Sequence, residues 1–173
     1  MSQKIRICLI LFVLAFLAPT FTHAASRDSL YDARTAQKIN PAMQSILGPQ
    51  SGKFRYDKRM IRAAEIASAR ARKHSTSRCW RYVKDALLAA EIVETRPVTA
   101  YAKQAAAELT QNHGFRKIRE RNPYKAPLGS VIVYGGRGAG HVEIRTARGF
   151  VSDFPSLKPS PRPLIGIYIK PRA

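Results

Sequence analysis

The sequence predicts an α+β fold in which helices come first and a small antiparallel sheet follows. Apolar residues recur at helical spacing between residues 57 and 111, as in amphipathic helices that pack on a core. Beyond Pro123, prolines and glycines separate short segments rich in β-branched residues, which is the pattern of antiparallel strands. Helices and strands that are segregated along a chain are typical of α+β domains rather than of alternating α/β folds.

Residues 1–24 have the three parts of a secretory signal peptide. Lys4 and Arg6 form a positively charged start, residues 7–18 form an apolar run, and the segment ends in the small residue Ala24. The apolar run is too short to span a bilayer, so cleavage after Ala24 is expected, with an uncleaved membrane anchor as the alternative. The sequence then predicts a polar N-terminal arm over residues 25–54 and one domain over residues 55–173.

The charge of the chain restricts its partners. The formal net charge is +19, and removal of residues 1–24, which contain Lys4, Arg6 and no acidic residue, leaves +17. A field of this strength favours anionic partners, which include nucleic acid, anionic lipid and cell-envelope polymers. An export signal argues against nucleic acid as the natural partner. We therefore expect peptidoglycan or another anionic envelope polymer as the partner. We also expect a monomer that has no transmembrane segment after cleavage of the signal peptide.

Three helices are predicted before the strands. The first covers Asp57 to Lys73, with an apolar stripe of Met60, Ala64, Ala67 and Ala71. The second begins after a Ser75–Ser77 cluster suited to N-capping, and its stripe consists of Trp80, Val83, Leu87 and Ala90. The third runs from Val98 or Thr99 to about Gln111, and Gly114 suits a left-handed cap after it.

Four strands are predicted in the second half of the chain: Ser130–Tyr134, His141–Thr146, Gly149–Phe154 and Leu164–Lys170. A glycine-rich turn separates the first two. It is superficially similar to a phosphate-binding loop, but no Lys-Ser/Thr pair and no helix follow it, which excludes that class of nucleotide site.

Cys79 is the best candidate for a reactive residue. The other cysteine, Cys8, belongs to the predicted signal peptide, so the mature chain keeps one thiol and forms no internal disulfide. The unpaired N–H groups and the helix dipole at a helix start favour a thiolate there. The alternatives are a buried, inert Cys79 and a zinc site, but the His and Cys spacing does not fit zinc, so no metal or cofactor is expected.

A nucleophilic cysteine needs a histidine and a group that orients the histidine ring. His141 opens a predicted strand after the glycine-rich turn, whereas His113 is expected at the surface. Asp153 is the preferred third residue, because a hairpin register that pairs it with His141 would place both on one face; this register also pairs Ile144 with Phe150. The alternatives left open are Glu143, on the same face and the same strand as His141, a weaker Ser152, and a purely structural His141.

Three segments in order resemble the CHAP domains of the NlpC/P60 superfamily: "CWRYVKDAL", "APLGSVIVY" and "GHVEIRT". The resemblance covers residues 75–170 and implies a papain-like fold with helices packed on an antiparallel sheet. It also implies a cysteine amidase or endopeptidase that cuts peptidoglycan, with Cys79 and His141 at the matching positions. The chain departs from the family at Ser130, where aspartate is frequent, and at Asp153, since the third residue of the family is commonly Asn or Glu.

Two functional hypotheses follow from these observations. The first is an exported, periplasmic or secreted cysteine hydrolase of peptidoglycan amide bonds that uses Cys79, His141 and Asp153, with Glu143 as the alternative third residue; a secreted antibacterial amidase is a variant of the same chemistry. The second is a non-catalytic cationic protein that binds the cell envelope on a degenerate hydrolase fold.

Overall fold

The computed structural model describes residues 54–172, in which helices come first and a six-stranded sheet follows. The helices are α1 (Arg59–Arg70), α2 (Cys79–Ala89) and α3 (Ala105–Asn112), with 3-10 turns at Ala102–Gln104 and Pro123–Lys125. This order confirms the predicted α+β class. The predicted signal peptide, residues 1–24, lies outside the described residues, as does the predicted arm except for Phe54.

The helices bury the predicted apolar stripes. Helix α1 buries Met60, Ala64 and Ala67, whereas Ala71, the last residue of the predicted stripe, lies just beyond the helix and is half-buried. The stripe from Trp80 to Ala90 along α2 is buried. Helices α1 and α3 are both shorter than predicted. The 3-10 turn at Ala102–Gln104 occupies part of the segment that was predicted as the start of α3. The N-cap of α2 is Arg78, without a side-chain capping bond, so the prediction that the Ser75–Ser77 cluster caps this helix is wrong. The turn after α3 does place Gly114 at φ +64°, as predicted.

The sheet is antiparallel throughout, in the order β1-β6-β2-β3-β4-β5. Its strands are β1 (Arg116–Lys117), β2 (Val131–Tyr134), β3 (His141–Thr146), β4 (Gly149–Val151), β5 (Pro155–Ser156) and β6 (Leu164–Ile169). The two edge strands, β1 and β5, were not predicted, because two residues are too few to show an alternating pattern. The central strand β2 is buried along its whole length.

The hairpin formed by β3 and β4 differs by one residue from the predicted register. Ile144 pairs with Val151, not with Phe150, and the hairpin closes on the pair Thr146 and Gly149. The closing pair leaves a two-residue turn, and in hairpins the turn length determines the register. The pairing ends at Ile144 and Val151, so the prediction that sets Asp153 opposite His141 is wrong.

One hydrophobic core lies between the helices and the sheet. Its largest fully buried side chains include Met60 and Leu87 from the helices and Ile132, Ile144 and Ile167 from the strands. Trp80 is buried in this core, as predicted, and its indole N–H donates to Thr99 Oγ1 at 3.1 Å. No helix within residues 54–172 is both long enough and apolar enough to cross a membrane.

Gly129 allows the loop before β2 to approach α1, and its replacement tests this contact. Gly129 has φ +78°, and a Cβ there would lie 2.4 Å from the carbonyl carbon and oxygen of Met60. We expect Gly129→Ala to lower the free energy of unfolding by about 3 kcal/mol or more, because neither backbone can move easily. Chemical denaturation measures this loss.

Gly138 provides the matched control for Gly129. It has a similar φ of +74°, but a Cβ there would meet nothing within 4 Å. Gly138→Ala should therefore carry only the cost of the left-handed backbone, about 1 kcal/mol. Equal losses of unfolding free energy in the two variants would show that the close approach of the Met60 backbone to position 129 adds nothing to the cost of a Cβ there.

Candidate active site

Cys79 is the first residue of α2 and is only half-buried. Its side chain packs against the edge of the hydrophobic core, so the sulfur is neither sealed in the interior nor freely exposed. An N–H group at the first position of a helix has no partner within that helix. Cys79 therefore combines a thiol with a backbone donor at the positive end of the helix dipole.

His141 is positioned by the glycine-rich turn that precedes β3. Gly140 has φ +77°, and a Cβ there would lie 2.5 Å from the Tyr134 carbonyl oxygen and 2.8 Å from Lys103 Cβ. The Lys103 N–H also donates to the Ala139 carbonyl at 2.9 Å, which attaches this turn to the segment before α3. The close packing around Gly140 holds the start of β3, and hence the imidazole, in a defined place.

Cys79, His141 and Glu143 are neighbours in the site. Nε2 of His141 lies 3.4 Å from Glu143 Oε2, and the imidazole is close enough to Cys79 for that side chain to raise its pKa. Burial lowers the pKa of His141, but the hydrogen bonds to Cys79 and Glu143, together with the negative charges of these two groups, outweigh burial and raise it to about 9. The surroundings thus favour an imidazolium at neutral pH.

Two further contacts hold the Glu143 carboxylate. The Tyr134 hydroxyl donates to Oε1 at 2.6 Å, and the Ser160 N–H approaches the same oxygen at 3.4 Å. Burial raises the pKa of the Tyr134 phenol, and the neighbouring Glu143 charge raises it further, so Tyr134 stays a hydrogen-bond donor. Oε1 is therefore occupied, and Oε2 is the oxygen that faces His141.

Asp153 has different partners from those predicted. Its buried carboxylate accepts the N–H groups of Thr76 at 2.6 Å and Arg78 at 3.1 Å, and the hydroxyls of Thr76, Ser75 and Ser152. Burial raises the pKa of Asp153, but the hydrogen bonds from Arg78 and Thr76 outweigh burial and lower it. The structure thus places the Asp153 carboxylate against the loop that precedes Cys79, and it places the Glu143 carboxylate beside His141.

Tyr134 and Ser160, which both contact Glu143, were not predicted as parts of this site. Tyr134 is the last residue of β2 and pairs with His141, so the correct register of that hairpin would have placed it beside the site. Ser160 lies in a proline-rich loop, and no local pattern indicates its contact with Glu143.

The other two histidines within residues 54–172 do not belong to this group of side chains. His113, expected at the surface, is buried, and its Nε2 contacts Glu108 Oε1 at 3.3 Å, so that expectation is wrong. His74 is exposed. Within residues 54–172, no three His, Cys, Asp or Glu side chains are grouped so that they could hold a metal ion.

The comparisons with known proteins indicate the fold through structure rather than through sequence. No protein-family model matches the sequence, and no curated protein matches it. The structure is similar to a chain in the crystal structure of the type VI native effector–immunity complex Tae3-Tai3 from Ralstonia pickettii. The TM-score is 0.54 at 24% sequence identity, over 65% of this chain and 98% of that chain.

A second crystal structure, of the selenomethionine form of the same complex, matches with a TM-score of 0.45 and 28% identity, over 54% of this chain and 80% of that chain. The first match shows that this chain has the fold of a component of the Tae3-Tai3 complex.

Proposed function

We propose that this protein is a cysteine hydrolase that cleaves amide bonds of peptidoglycan outside the cytoplasm. The arrangement of Cys79, His141 and Glu143 carries the proposal, because it brings together a nucleophile, a proton carrier and an orienting carboxylate, the three groups that such a mechanism needs. A cysteine kept only for packing would need neither neighbour.

The first half of the reaction forms a thioester. The Cys79 thiolate attacks the amide carbonyl carbon, and the negative charge moves to the carbonyl oxygen, near the Cys79 N–H at the helix start. Because Nε2 of His141 lies beside Glu143, we assign to Nδ1 the proton exchange with the sulfur and the leaving group. The His141 imidazolium gives its proton to the leaving nitrogen, the C–N bond breaks, and the amine departs.

The second half of the reaction uses water. His141, now neutral, takes a proton from a water molecule while the water oxygen attacks the thioester carbonyl carbon. The C–S bond then breaks, which releases a carboxylic acid and restores the thiolate and the imidazolium. Glu143 keeps the ring in one orientation through both halves and stabilises its charged form; it takes over the role that the sequence analysis assigned to Asp153.

Two observations support peptidoglycan as the substrate class. The motifs around Cys79 and His141 resemble those of CHAP domains, and the high positive charge suits an anionic cell-envelope polymer. The predicted signal peptide would bring the chain to the periplasm or the exterior, where this polymer is accessible.

An antibacterial role is a second candidate, favoured by one observation. The structural match belongs to an effector–immunity complex of a type VI system. We propose for this case the same amide chemistry, directed at the cell wall of a competitor and restrained in the producing cell by a separate inhibitor protein.

Analysis of the products of digested peptidoglycan tests the proposed function. Purified wall treated with the protein should release fragments in which one amide is replaced by a free amine and a free carboxylate, as mass spectrometry of the fragments would show. Iodoacetamide should modify Cys79 faster than free cysteine at neutral pH and should stop the release. A protein that binds the wall, releases no fragments and has an unreactive Cys79 would instead be the non-catalytic binder.

A further inference from the structure

A cleft of about 510 Å³ lies against the loop that leads into Cys79. Four basic residues contribute to its lining, together with the phenol of Tyr82: Arg72, Lys73, His74 and Arg78. Arg78 is adjacent to Cys79 in the chain, and Tyr82 is one helical turn beyond it. Cys79 does not itself line the cleft, but a group bound there would lie beside the residue that directly precedes the proposed nucleophile.

Hydrogen bonds to Asp153 fix the backbone of this loop, residues 72–78. The buried Asp153 carboxylate accepts the N–H groups of Thr76 and Arg78, and the Asp153 carbonyl accepts the Arg72 N–H at 2.8 Å. Ser77 adopts a left-handed conformation with φ 59°, which persists only where surrounding contacts impose it. The exposed cations thus project from a preorganised backbone.

Several of the cleft cations have no acidic partner within the described part of the chain. Ion pairs form elsewhere, between Arg59 and Asp57 and between Arg96 and Asp85. In contrast, no acidic side chain among residues 54–172 lies within salt-bridge distance of Lys73 or Arg78, and Arg72 donates from Nε to the Tyr82 hydroxyl at 3.1 Å. The charges of Lys73 and Arg78 are available to a ligand.

We infer that this cleft binds a carboxylate of the peptide that Cys79 cuts. The inference rests on the proposed function and deepens it, because it assigns to the substrate an acidic group close to the scissile amide. Guanidinium and ammonium groups form charge-assisted hydrogen bonds with carboxylates. Because the loop is already ordered, it loses little conformational entropy when a ligand binds. Arg78 is the principal contact, since it is the closest cation to Cys79 in the chain.

Steady-state kinetics on a pair of soluble peptidoglycan peptides tests this inference. One peptide has free side-chain carboxylates, and in the other they are converted to amides. The wild-type protein should favour the free acid about tenfold in kcat/KM, the amount expected for one charge-assisted hydrogen bond. Arg78→Gln should lose this preference, through a KM about tenfold higher for the acid and a nearly constant kcat, as expected when binding rather than chemistry changes.

Arg148→Gln is the matched control. Arg148 is exposed in the turn between β3 and β4, does not line the cleft, and its replacement changes the net charge by the same amount. It should retain the preference for the acid. Loss of the preference in both variants would show that the overall field, and not the cleft, selects the acid, and this would overturn the inference.

The two proposals fail in different ways. Equal cleavage of both peptides by the wild-type protein would overturn the cleft assignment and leave the hydrolase intact. Cleavage of neither peptide, and of no purified wall, would refute the hydrolase. Titration of the Cys79→Ala protein with each peptide, followed by calorimetry, gives a readout that needs no catalysis: tighter binding of the acid supports the cleft, and equal binding of acid and amide refutes it.

Discussion

Cys79→Ala is expected to lower the rate of peptidoglycan cleavage by about 10⁴-fold or more. The thioester cannot form without the sulfur, and direct attack by water lacks a covalent intermediate. Release of soluble fragments from purified wall, followed over a long incubation, measures the residual rate. Cys79→Ser should also be nearly inactive, because His141 is arranged for a thiolate and a hydroxyl ionises far less readily.

The control for this prediction is the integrity of the Cys79 variants. Cys79 is half-buried at the edge of the core, so alanine should change the free energy of unfolding only slightly. Binding to wall should also persist and should weaken with salt as for the wild type, since no charged residue is replaced. Undiminished cleavage by a folded Cys79→Ala protein would refute the mechanism.

Glu143→Gln is expected to lower kcat by about 10²-fold to 10³-fold and to shift the pH dependence. The hydrogen bond and the charge of Glu143 are among the causes that raise the pKa of His141 to about 9. The reacting imidazolium exists below this pKa, so wild-type kcat/KM should fall as the pH rises through about 9. Without the Glu143 carboxylate the protonated form of His141 is less stable. The fall of kcat/KM at high pH, which we call the basic limb of the pH profile, should therefore move to lower pH by about one unit.

Asp153→Asn is the matched control for Glu143→Gln. Both residues are buried carboxylates near Cys79, but Asp153 binds the loop of residues 75–78 and not the His141 ring. Its replacement should lower the free energy of unfolding by about 1–3 kcal/mol, because it weakens buried hydrogen bonds, and should leave the basic limb in place. A shift of that limb in Asp153→Asn and not in Glu143→Gln would return the orienting role to Asp153.

Local pattern was sufficient to predict much of this chain. Three features depend only on residues that are close in the chain: the apolar stripes of α1 and α2, the position of β3, and the cysteine at the start of α2. The residues involved lie within one or two helical turns, or within a few positions along a strand. Periods of 3.6 and 2 report directly which residues share a face, so these features can be read without knowledge of the fold.

Contacts between distant segments required the tertiary structure. The two-residue turn that closes the hairpin of β3 and β4 shifts the register by one residue, and Asp153 therefore does not lie opposite His141. Asp153 instead binds Thr76, which is 77 residues away in the chain, a pairing that no local spacing encodes.

The amino-acid sequence by itself thus determined the α+β class and the candidate pair of Cys79 and His141, because helix starts and strand starts are local features. Only the tertiary structure decided between Glu143 and Asp153 as the neighbour of His141. The burial of His113 against Glu108 is likewise visible only in the tertiary structure. The physical reason is that side-chain partners depend on strand register and on the meeting of remote loops, and a shift of one residue reverses the face that a strand side chain occupies.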